Sequence, residues 1–365
     1  MSNLRPTWAE INLSNLDHNY HYFKQLNNPK EVIAVVKADA YGHGVVEIVR
    51  SLKSLGVRLF AVSLLEEALE IRQKFEDIDI LVMGAILSDQ LSAAVDNNVI
   101  VTVYDISFGL ELLSYIKPVR FHVKYDSGMN RLGFKSAKEV NDFITLNHKD
   151  NTHHFEGIFT HFATSDDNQG FHSHQLEKFK DLVSKLEVKP KVIHASNSSS
   201  ALKYENDIDF TTHSRIGISL YGLSLESHTS FLKPVMKIKT KIMQIKDLSK
   251  GEYVGYGITY QALEDEQIGV IPIGYADGLI RRNNHGYVDI KGKKYPFVGR
   301  ICMDYAFVKI DSSVKLHDDV IIMGSDIVSI DDVANRLETI SYEVVCQVSK
   351  RVPRIYVRKE DINET

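Results

Sequence analysis

Val35-Val36-Lys37-Ala38-Asp39-Ala40-Tyr41-Gly42-His43-Gly44 places a lysine and a glycine-rich turn between two apolar segments. The preceding run, Val32–Val36, is typical of a strand buried on both faces of a parallel sheet. A lysine at the end of such a strand loses hydration, which is unfavourable unless the amine has a partner or a chemical role. A partly desolvated lysine has a lowered pKa and forms a Schiff base with an aldehyde such as pyridoxal phosphate. The alternative is a lysine whose stem packs on the strand end while its amine reaches water.

Similar apolar runs recur along the first two thirds of the chain and alternate with segments of helical apolar spacing, such as Leu64–Lys74 and His174–Leu186. The predicted strands are Val32–Lys37, Leu59–Ser63, Ile78–Met83, Val99–Val103, Val119–Tyr125, Phe155–His161, Lys191–Ala195 and Ile216–Tyr221. Eight strand–helix repeats predict an α/β fold of the (β/α)8 barrel type. A strand at Trp8–Leu13 and a helix from Ser14 precede these repeats.

From about Val235 the pattern changes to closely spaced strands with turn signals between them, such as Lys250-Gly251-Glu252. The apolar runs are Met236–Ile245, Ile268–Ile273, Tyr287–Ile290, Ala306–Ile310 and Val320–Met323, followed by a helix at Ile330–Leu337. We therefore predict a barrel domain at residues 1–235 and a mostly-β domain at residues 236–365. The first strand, residues 8–13, is assigned either to the barrel or to the β domain.

The composition bounds the class of protein. A chain of 365 residues accommodates a barrel with a smaller module, and 44% hydrophobic with 25% charged residues is typical of a globular protein. A net charge of −5 argues against nucleic acid or an anionic membrane as a partner. Without an apolar leader or a membrane-length run, a cytoplasmic location is expected. The two cysteines, Cys302 and Cys346, are expected to be buried free thiols.

Barrel enzymes have their active site at the carboxyl ends of the strands. The residues that the predicted strands place there are Lys37, Met83, Lys124, Asp126, Arg131, His161, Asn197, Ser198 and Arg215–Ile218. The loops after the seventh and eighth strands are the usual phosphate site of such barrels, although Asn197-Ser198 also fits an ordinary loop and helix cap. The pairs His153-His154 and His172/His174 lie in polar stretches that we expect to be exposed, so no metal site is predicted.

The chain resembles the alanine racemases in eight segments that follow one another in family order. They are VVKADAYGHG at 35–44, KYDSGMNRLG at 124–133, THFA at 160–163, ASNS at 195–198, RIGISLYG at 215–222, VGYGITY at 254–260, IGYADG at 273–278 and VGRICMD at 298–304. These segments span nearly the whole chain. The resemblance implies an isomerase that interconverts L- and D-alanine with pyridoxal phosphate and supplies D-alanine for peptidoglycan.

The resemblance also implies roles for individual residues. Lys37 would hold the cofactor and accept the proton of D-alanine, and Tyr256 would accept that of L-alanine. A phenol needs cationic neighbours to act as a base near neutral pH, and Arg215 and His161 are the candidates. Because Lys37 and Tyr256 lie in different domains, the family's head-to-tail homodimer is implied, in which the β domain of one subunit covers the barrel of the other.

Further roles follow from the same resemblance. Arg131 would bind the substrate carboxylate together with Met303 of the partner subunit. Lys124 matches a lysine that many relatives carry as a carbamate. Arg215 would contact the pyridine nitrogen of the cofactor. The remaining cofactor contacts would be Tyr41, His161, Asn197, Ser198, Gly217, Ile218 and Lys350. Lys350 departs from the family pattern, in which many members have a tyrosine that contacts the cofactor phosphate.

Three alternatives stay open. A racemase of broader specificity, for instance toward serine, would share the fold and the motifs. Barrel-fold decarboxylases of basic amino acids typically place an acid at the pyridine nitrogen, so Arg215 argues against them. A non-catalytic barrel protein that carries pyridoxal phosphate would lack the β domain that contains Tyr256.

Overall fold

The computed structural model describes residues 5–165, 169–224 and 229–358. The strands of the first part are β1 Thr7–Asn12, β2 Glu31–Val35, β3 Leu59–Val62, β4 Asp79–Val82, β5 Val101–Val103, β6 Arg120–Lys124, β7 His154–Phe159, β8 Val192–His194 and β9 His213–Ile216. The α-helices there are α1 Leu13–Leu26, α2 Val45–Ser54, α3 Leu65–Arg72, α4 Leu91–Asp96, α5 Ile106–Leu113, α6 Ala137–Asp150, α7 Gln169–Ser184 and α8 Ser198–Lys203. Short 3₁₀-helices are Ser88–Gln90, Glu205–Ile208 and Ile218–Tyr221.

Strands β2 to β9 form the predicted barrel. Their order in the sheet is β4-β3-β2-β9-β8-β7-β6-β5 and the paired neighbours are parallel. A parallel bridge between Leu81 and Ile100 joins the two ends of this order. Strands such as Leu59–Val62 are buried along their whole length, as the continuous apolar runs predicted. The prediction of a (β/α)8 barrel is therefore confirmed.

The eighth barrel strand was predicted at the wrong place. The run Ile216–Tyr221 is not a strand: β9 ends at Ile216, and Ile218–Tyr221 is a 3₁₀-helix. Gly217, with φ −113° and ψ −103°, turns the chain out of the strand. A short buried apolar run has the same composition in a strand and in a helical turn, so its periodicity could not separate the two.

The second part of the chain is the predicted mostly-β domain. Its strands are β10 Met236–Lys241, β11 Gln244–Leu248, β12 Tyr253–Val254, β13 Tyr260–Gln261, β14 Glu266–Ile271, β15 Tyr287–Ile290, β16 Lys293–Pro296, β17 Ala306–Ile310, β18 Asp319–Met323 and β19 Arg354–Val357. Its helices are α9 Ile330–Leu337 and α10 Ser341–Cys346, with 3₁₀-helices at Tyr256–Ile258, Tyr275–Asp277 and Arg281–His285.

These strands form a six-stranded sheet of order β16-β15-β18-β10-β1-β19, a three-stranded sheet β11-β14-β17 and the pair β12-β13. The N-terminal strand β1 lies in the six-stranded sheet, antiparallel to β10 and parallel to β19. The chain therefore crosses from the β sheet into the barrel at α1 and returns after the eighth barrel strand. This crossing brings β19 close to the start of the barrel.

Two expectations about burial were wrong. Cys302 is only partly buried. Cys346 is exposed, because Ser341–Cys346 is a helix that buries Ser341, Val344 and Val345 instead. His153 and His172 are buried, and His153 Nδ1 accepts a hydrogen bond from the backbone N–H of Val119.

Neither a membrane span nor a metal-ligand cluster was found in the described residues. No helix among them is long and apolar enough to cross a bilayer. They also contain no group of three or more His, Cys, Asp or Glu side chains able to hold a metal ion.

Candidate active site

A cavity of about 520 Å³ opens at the carboxyl ends of the barrel strands. The predicted site residues that line it are Lys37, Tyr41, Met83, Lys124, Arg131, His161, Asn197, Ser198, Arg215, Gly217 and Ile218. Lining residues that the sequence reasoning did not assign to the site are Val35, Ser63, Gly84, Leu132, Phe159 and Tyr342. Eleven residues from six separate segments therefore meet at one place, as the strand-end argument required.

Lys37 begins a turn of unusual backbone geometry, which we call the left-handed turn (Lys37–Gly42). Residues 38–41 have φ between 52° and 53° and ψ between 42° and 52°, which is left-handed helix. For residues other than glycine this conformation costs about 1–2 kcal/mol each. Four such residues in succession persist only when the surrounding structure holds them.

Two side chains, one within the left-handed turn and one just after it, provide some of those contacts. The Asp39 carboxylate accepts the backbone N–H of Val45 at 2.7 Å. The ring of the buried His43 bonds through Nδ1 to the carbonyl oxygens of Ala40 and Tyr41 at 3.0 and 2.9 Å, so Nδ1 carries the proton.

Glu67 holds the start of the left-handed turn. One carboxylate oxygen accepts the N–H of Ala38 at 2.6 Å, and the other accepts those of Ser63 and Leu64 at 2.9 and 3.0 Å. Burial and the positive charge of Arg131 lower the pKa of the Lys37 amine, whereas Glu67 raises it.

The cavity is rich in cationic groups. Burial, together with the charges of Arg131 and Arg215, lowers the pKa of Lys124 to about 8. Desolvation and the charge of Arg215 hold the pKa of His161 well below its usual value, so the ring is neutral. Such a site attracts anions such as phosphate and carboxylate.

Arg215 is fixed by contacts on the barrel interior. It is 3% exposed, and its Nη2 group donates to the carbonyl oxygens of Thr160 and Ala195 at 2.8 Å each. Nη1 lies 2.8 Å from His194 Nδ1, and because arginine only donates, Nδ1 accepts. His194 Nε2–H then donates to His122 Nδ1 at 3.0 Å. These two histidines extend the site into the barrel core.

An aromatic ring lies near two of the cations. The Phe159 ring has Lys124 Nζ and the guanidinium carbon of Arg215 each 5.5 Å from its centroid. The negative face of a phenyl ring attracts a positive group above it. Phe159 directly precedes the Thr160-His161 motif, so its position in the sequence was a signal of its place in the site.

Two backbone N–H groups and a hydroxyl meet in another part of the cavity lining. Ser198 Oγ accepts the N–H of Gly217 at 3.0 Å and that of Ser219 at 3.5 Å. A Cβ added at Gly217 would lie 2.7 Å from the Tyr41 hydroxyl oxygen. Gly217 is therefore required by the close approach of Tyr41. We call the Ser198 hydroxyl with the Gly217 and Ser219 N–H groups the Ser198–Gly217 cradle.

Replacing Gly217 with alanine is expected to weaken cofactor binding about tenfold or more while the barrel stays folded. The added methyl group displaces the hydroxyl of the buried Tyr41, which lies where the anion would bind. Titration of the cofactor-free variant with pyridoxal phosphate, compared with its circular dichroism spectrum, measures both properties. Unchanged affinity in a folded variant would show that the Gly217–Tyr41 approach is irrelevant to the cofactor.

Four predicted site residues do not line the cavity of their own chain: Asp126, Tyr256, Met303 and Lys350. The Asp126 carboxylate instead accepts the backbone N–H groups of Gly128 and Asn130. Tyr256 is 71% exposed and Met303 52% exposed, both on the β domain. Lys350 is also exposed. Tyr342, which was not predicted, does line the cavity, and its ring centroid lies 6.3 Å from that of Tyr41.

The fold and the cavity define a barrel enzyme with a mostly-β domain, whose site lies at the carboxyl ends of the strands and is lined by Lys and Arg side chains. The family model described as "Alanine racemase, N-terminal domain" matches residues 11–225, and "Alanine racemase, C-terminal domain" matches residues 235–356. The chain belongs to the alanine racemase family and is an isomerase.

Individual relatives are similar over nearly the whole chain. The alanine racemase of Listeria monocytogenes serotype 4b is 39% identical over 364 residues, which cover 97% of this chain and 98% of the relative. That of Geobacillus stearothermophilus is 38% identical, with 99% and 96% covered. Among solved structures, the Clostridium difficile alanine racemase has a TM-score of 0.93, 36% identity and coverage of 98% and 97%. The Bacillus anthracis enzyme with bound L-Ala-P has a TM-score of 0.91, 32% identity and coverage of 98% and 97%.

Proposed function

We propose that this protein is a pyridoxal-phosphate-dependent alanine racemase that uses two opposed bases. The observation that carries the proposal is the meeting of Lys37, Arg215 and the Ser198–Gly217 cradle in one cavity. Full-length similarity to curated alanine racemases supports the choice of alanine as substrate. A role in supplying D-alanine for peptidoglycan from the cytoplasm belongs to the same proposal.

The chemistry of the cavity fits pyridoxal phosphate. Lys37 offers an amine of lowered pKa for the aldehyde, and the N–H groups and hydroxyl of the cradle suit the phosphate. Arg215, held by two carbonyl oxygens and His194, would face the pyridine nitrogen as a permanent donor. When bound, pyridoxal phosphate would withdraw electrons from the substrate and make its Cα–H bond acidic.

The protein's residues would then bind alanine and move its proton. Arg131 would pair with the substrate carboxylate, alongside Met303 of the partner subunit. Lys37 would take the Cα proton from D-alanine on one face, and Tyr256 of the partner subunit would take that of L-alanine on the other. The opposed base would then donate a proton to the other face of Cα, which inverts the configuration.

A head-to-tail homodimer is part of this proposal, because Tyr256 and Met303 lie outside their own chain's cavity. The β domain exposes several large apolar side chains besides these two residues. They are Tyr253, Ile258, Leu263, Tyr275 and Tyr305. An exposed group of this kind supports burial against a partner.

Incubation of the purified protein with L-alanine and with a panel of other L-amino acids, serine among them, tests the proposal. Chiral chromatography should show D-alanine forming far faster than the other D-amino acids, and only when pyridoxal phosphate is present. Comparable rates for serine would favour a racemase of broader specificity. Absence of any racemisation by the loaded protein would contradict the proposal.

Lys124 is expected to carry a carbamate. Its pKa of about 8 leaves a substantial fraction of the amine unprotonated near neutral pH, and only the unprotonated amine attacks carbon dioxide. The new N–C bond forms with release of a proton, and the resulting anion would pair with Arg131 instead of repelling it.

Carbon-13 NMR of the protein in labelled bicarbonate measures this modification. One slowly exchanging carbamate resonance should appear, and it should strengthen as the pH rises toward 8. The resonance should disappear in Lys124→Ala and persist in Lys135→Ala, which removes an exposed lysine nearby. Identical spectra of the two variants would show that Lys124 does not carry a carbamate.

A further inference from the structure

The far end of the left-handed turn is held by the β domain of the same chain. Arg354, the first residue of β19, donates through Nε to the carbonyl oxygen of Gly42 at 3.0 Å. Its Nη groups donate to the carbonyl oxygens of Ser349 at 2.6 Å, Val352 at 2.7 Å and Val348 at 2.7 Å. One guanidinium therefore ties the turn to the segment Val348–Val352.

Tyr356, two residues along β19, adds a second tie. Its hydroxyl donates to the carbonyl oxygen of His43 at 3.1 Å. A Cβ added at Gly44 would lie 1.9 Å from this hydroxyl oxygen, and one at Gly42 would lie 2.4 Å from the carbonyl oxygen of Val345. The turn and the β domain are thus packed as closely as glycine permits.

Strain in the turn makes these ties significant. Four successive residues in left-handed helix would relax if either end were released. Glu67 holds the start at Ala38, and Arg354 holds the end at Gly42. Because guanidinium donors have a fixed planar geometry, Arg354 sets a direction as well as a distance, which a lysine ammonium cannot do.

We propose that Arg354 is a positioning residue for Lys37 and Tyr41 of its own chain, acting through the Gly42 carbonyl. The inference rests on the proposed function, since it assigns those two residues to the cofactor. It gives the β domain two separate tasks. Within its own chain it fixes the turn that would hold the cofactor, and across the dimer it would supply Tyr256.

Comparison of Arg354→Lys with Arg72→Lys separates positioning from general stability. Arg72 is a matched control because it also donates to several backbone carbonyl oxygens, none of which belongs to the cavity lining. Its acceptors are Phe75, Glu76, Ile78, Asn97 and Asn98. Both variants should therefore lower the melting temperature of the cofactor-free protein to a similar extent.

The Kd of each cofactor-free variant for pyridoxal phosphate is the deciding measurement. Because small displacements of catalytic groups have large effects, Arg354→Lys should raise this Kd about 10- to 100-fold, and Arg72→Lys less than about twofold. Equal Kd values for the two variants would overturn the proposal. If Arg354→Lys does not fold, Tyr356→Phe replaces it. A smaller rise in Kd is then expected, and a wild-type Kd would overturn the proposal.

Mixed dimers test whether Arg354 acts within its own chain. At a pyridoxal phosphate concentration too low to load Arg354→Lys, mixing that variant with Tyr256→Phe should restore activity, because one barrel keeps Lys37 and Arg354 together. Mixing Arg354→Lys with Lys37→Ala should not restore activity, since one barrel then lacks Arg354 and the other lacks Lys37. The reverse pattern would show that Arg354 acts on the partner and would overturn the proposal.

The pair Lys37→Ala with Tyr256→Phe is the reference for these mixtures. Recovery there supports the composite site of the proposed function. No recovery in the reference pair, together with a raised Kd in Arg354→Lys alone, would overturn the dimer proposal and support the role of Arg354. No recovery in the reference pair, together with a wild-type Kd in Arg354→Lys, would overturn both the dimer proposal and the role of Arg354.

Discussion

Lys37→Ala is expected to abolish racemisation and the visible absorbance of bound pyridoxal phosphate, the largest effect that we expect from any single substitution. Loss of a general base alone costs about 10²–10⁴-fold in rate. The covalent attachment of the cofactor disappears as well, because the amine that Glu67 and the left-handed turn hold in the cavity is gone. Absorbance spectra and racemase assays of the purified variant measure the two losses separately.

Lys124→Ala is the matched control, since Lys124 is a second lysine of the same cavity and is buried. That variant should stay coloured, and reduction with borohydride should fix the cofactor to Lys37. Mass spectrometry of the reduced peptides identifies the labelled lysine. A label on Lys124 in the wild-type protein, or a coloured Lys37→Ala variant, would refute the assignment of Lys37.

Much of the fold and the site could be predicted because both depend on local patterns. Alternating apolar runs and helical segments are enough for a barrel, and barrel topology then brings strand ends together. Lys37 and Lys124 could be assigned to one cavity from the sequence for this reason. Their polar side chains at the ends of apolar strands were the signal.

The features that escaped prediction depend on tertiary approach. Nothing local in Ala38–Tyr41 indicates left-handed helix, since alanine and tyrosine ordinarily avoid it. The contact of Arg354 with Gly42 spans most of the chain and arises only because β1 and β19 pair in one sheet. Tyr342 reaches the cavity through the same packing. Such contacts are set by how the two domains meet, which residue spacing does not encode.

The β-domain residues show the remaining limit. Tyr256 and Met303 could be named from motif resemblance, yet within one chain they are exposed on the surface. Their place in a site depends on a second copy of the chain, so neither sequence periodicity nor the geometry of one subunit decides it. Measurements on the variants of Tyr256 therefore carry more weight than those on the barrel residues.

Tyr256→Phe is expected to separate the two directions of proton transfer. Removing the phenol leaves no base on the face from which L-alanine loses its Cα proton, so deprotonation of L-alanine should fall about 10²–10⁴-fold. Lys37 remains on the opposite face, held there by the left-handed turn, and would still exchange the Cα proton of D-alanine with solvent. That exchange should proceed without inversion, because the proton returns from the side on which it left.

Deuterium incorporation into each enantiomer in heavy water, followed by mass spectrometry after chiral separation, measures this asymmetry. Tyr253→Phe serves as the control, since it removes another exposed tyrosine hydroxyl from the same domain. This control should exchange both enantiomers as the wild-type protein does. Equal residual exchange of L- and D-alanine by Tyr256→Phe would instead mean that one base, or a water molecule, serves both faces. The two-base proposal requires that the loss fall on one enantiomer, because the two bases would come from different subunits and approach Cα from opposite sides.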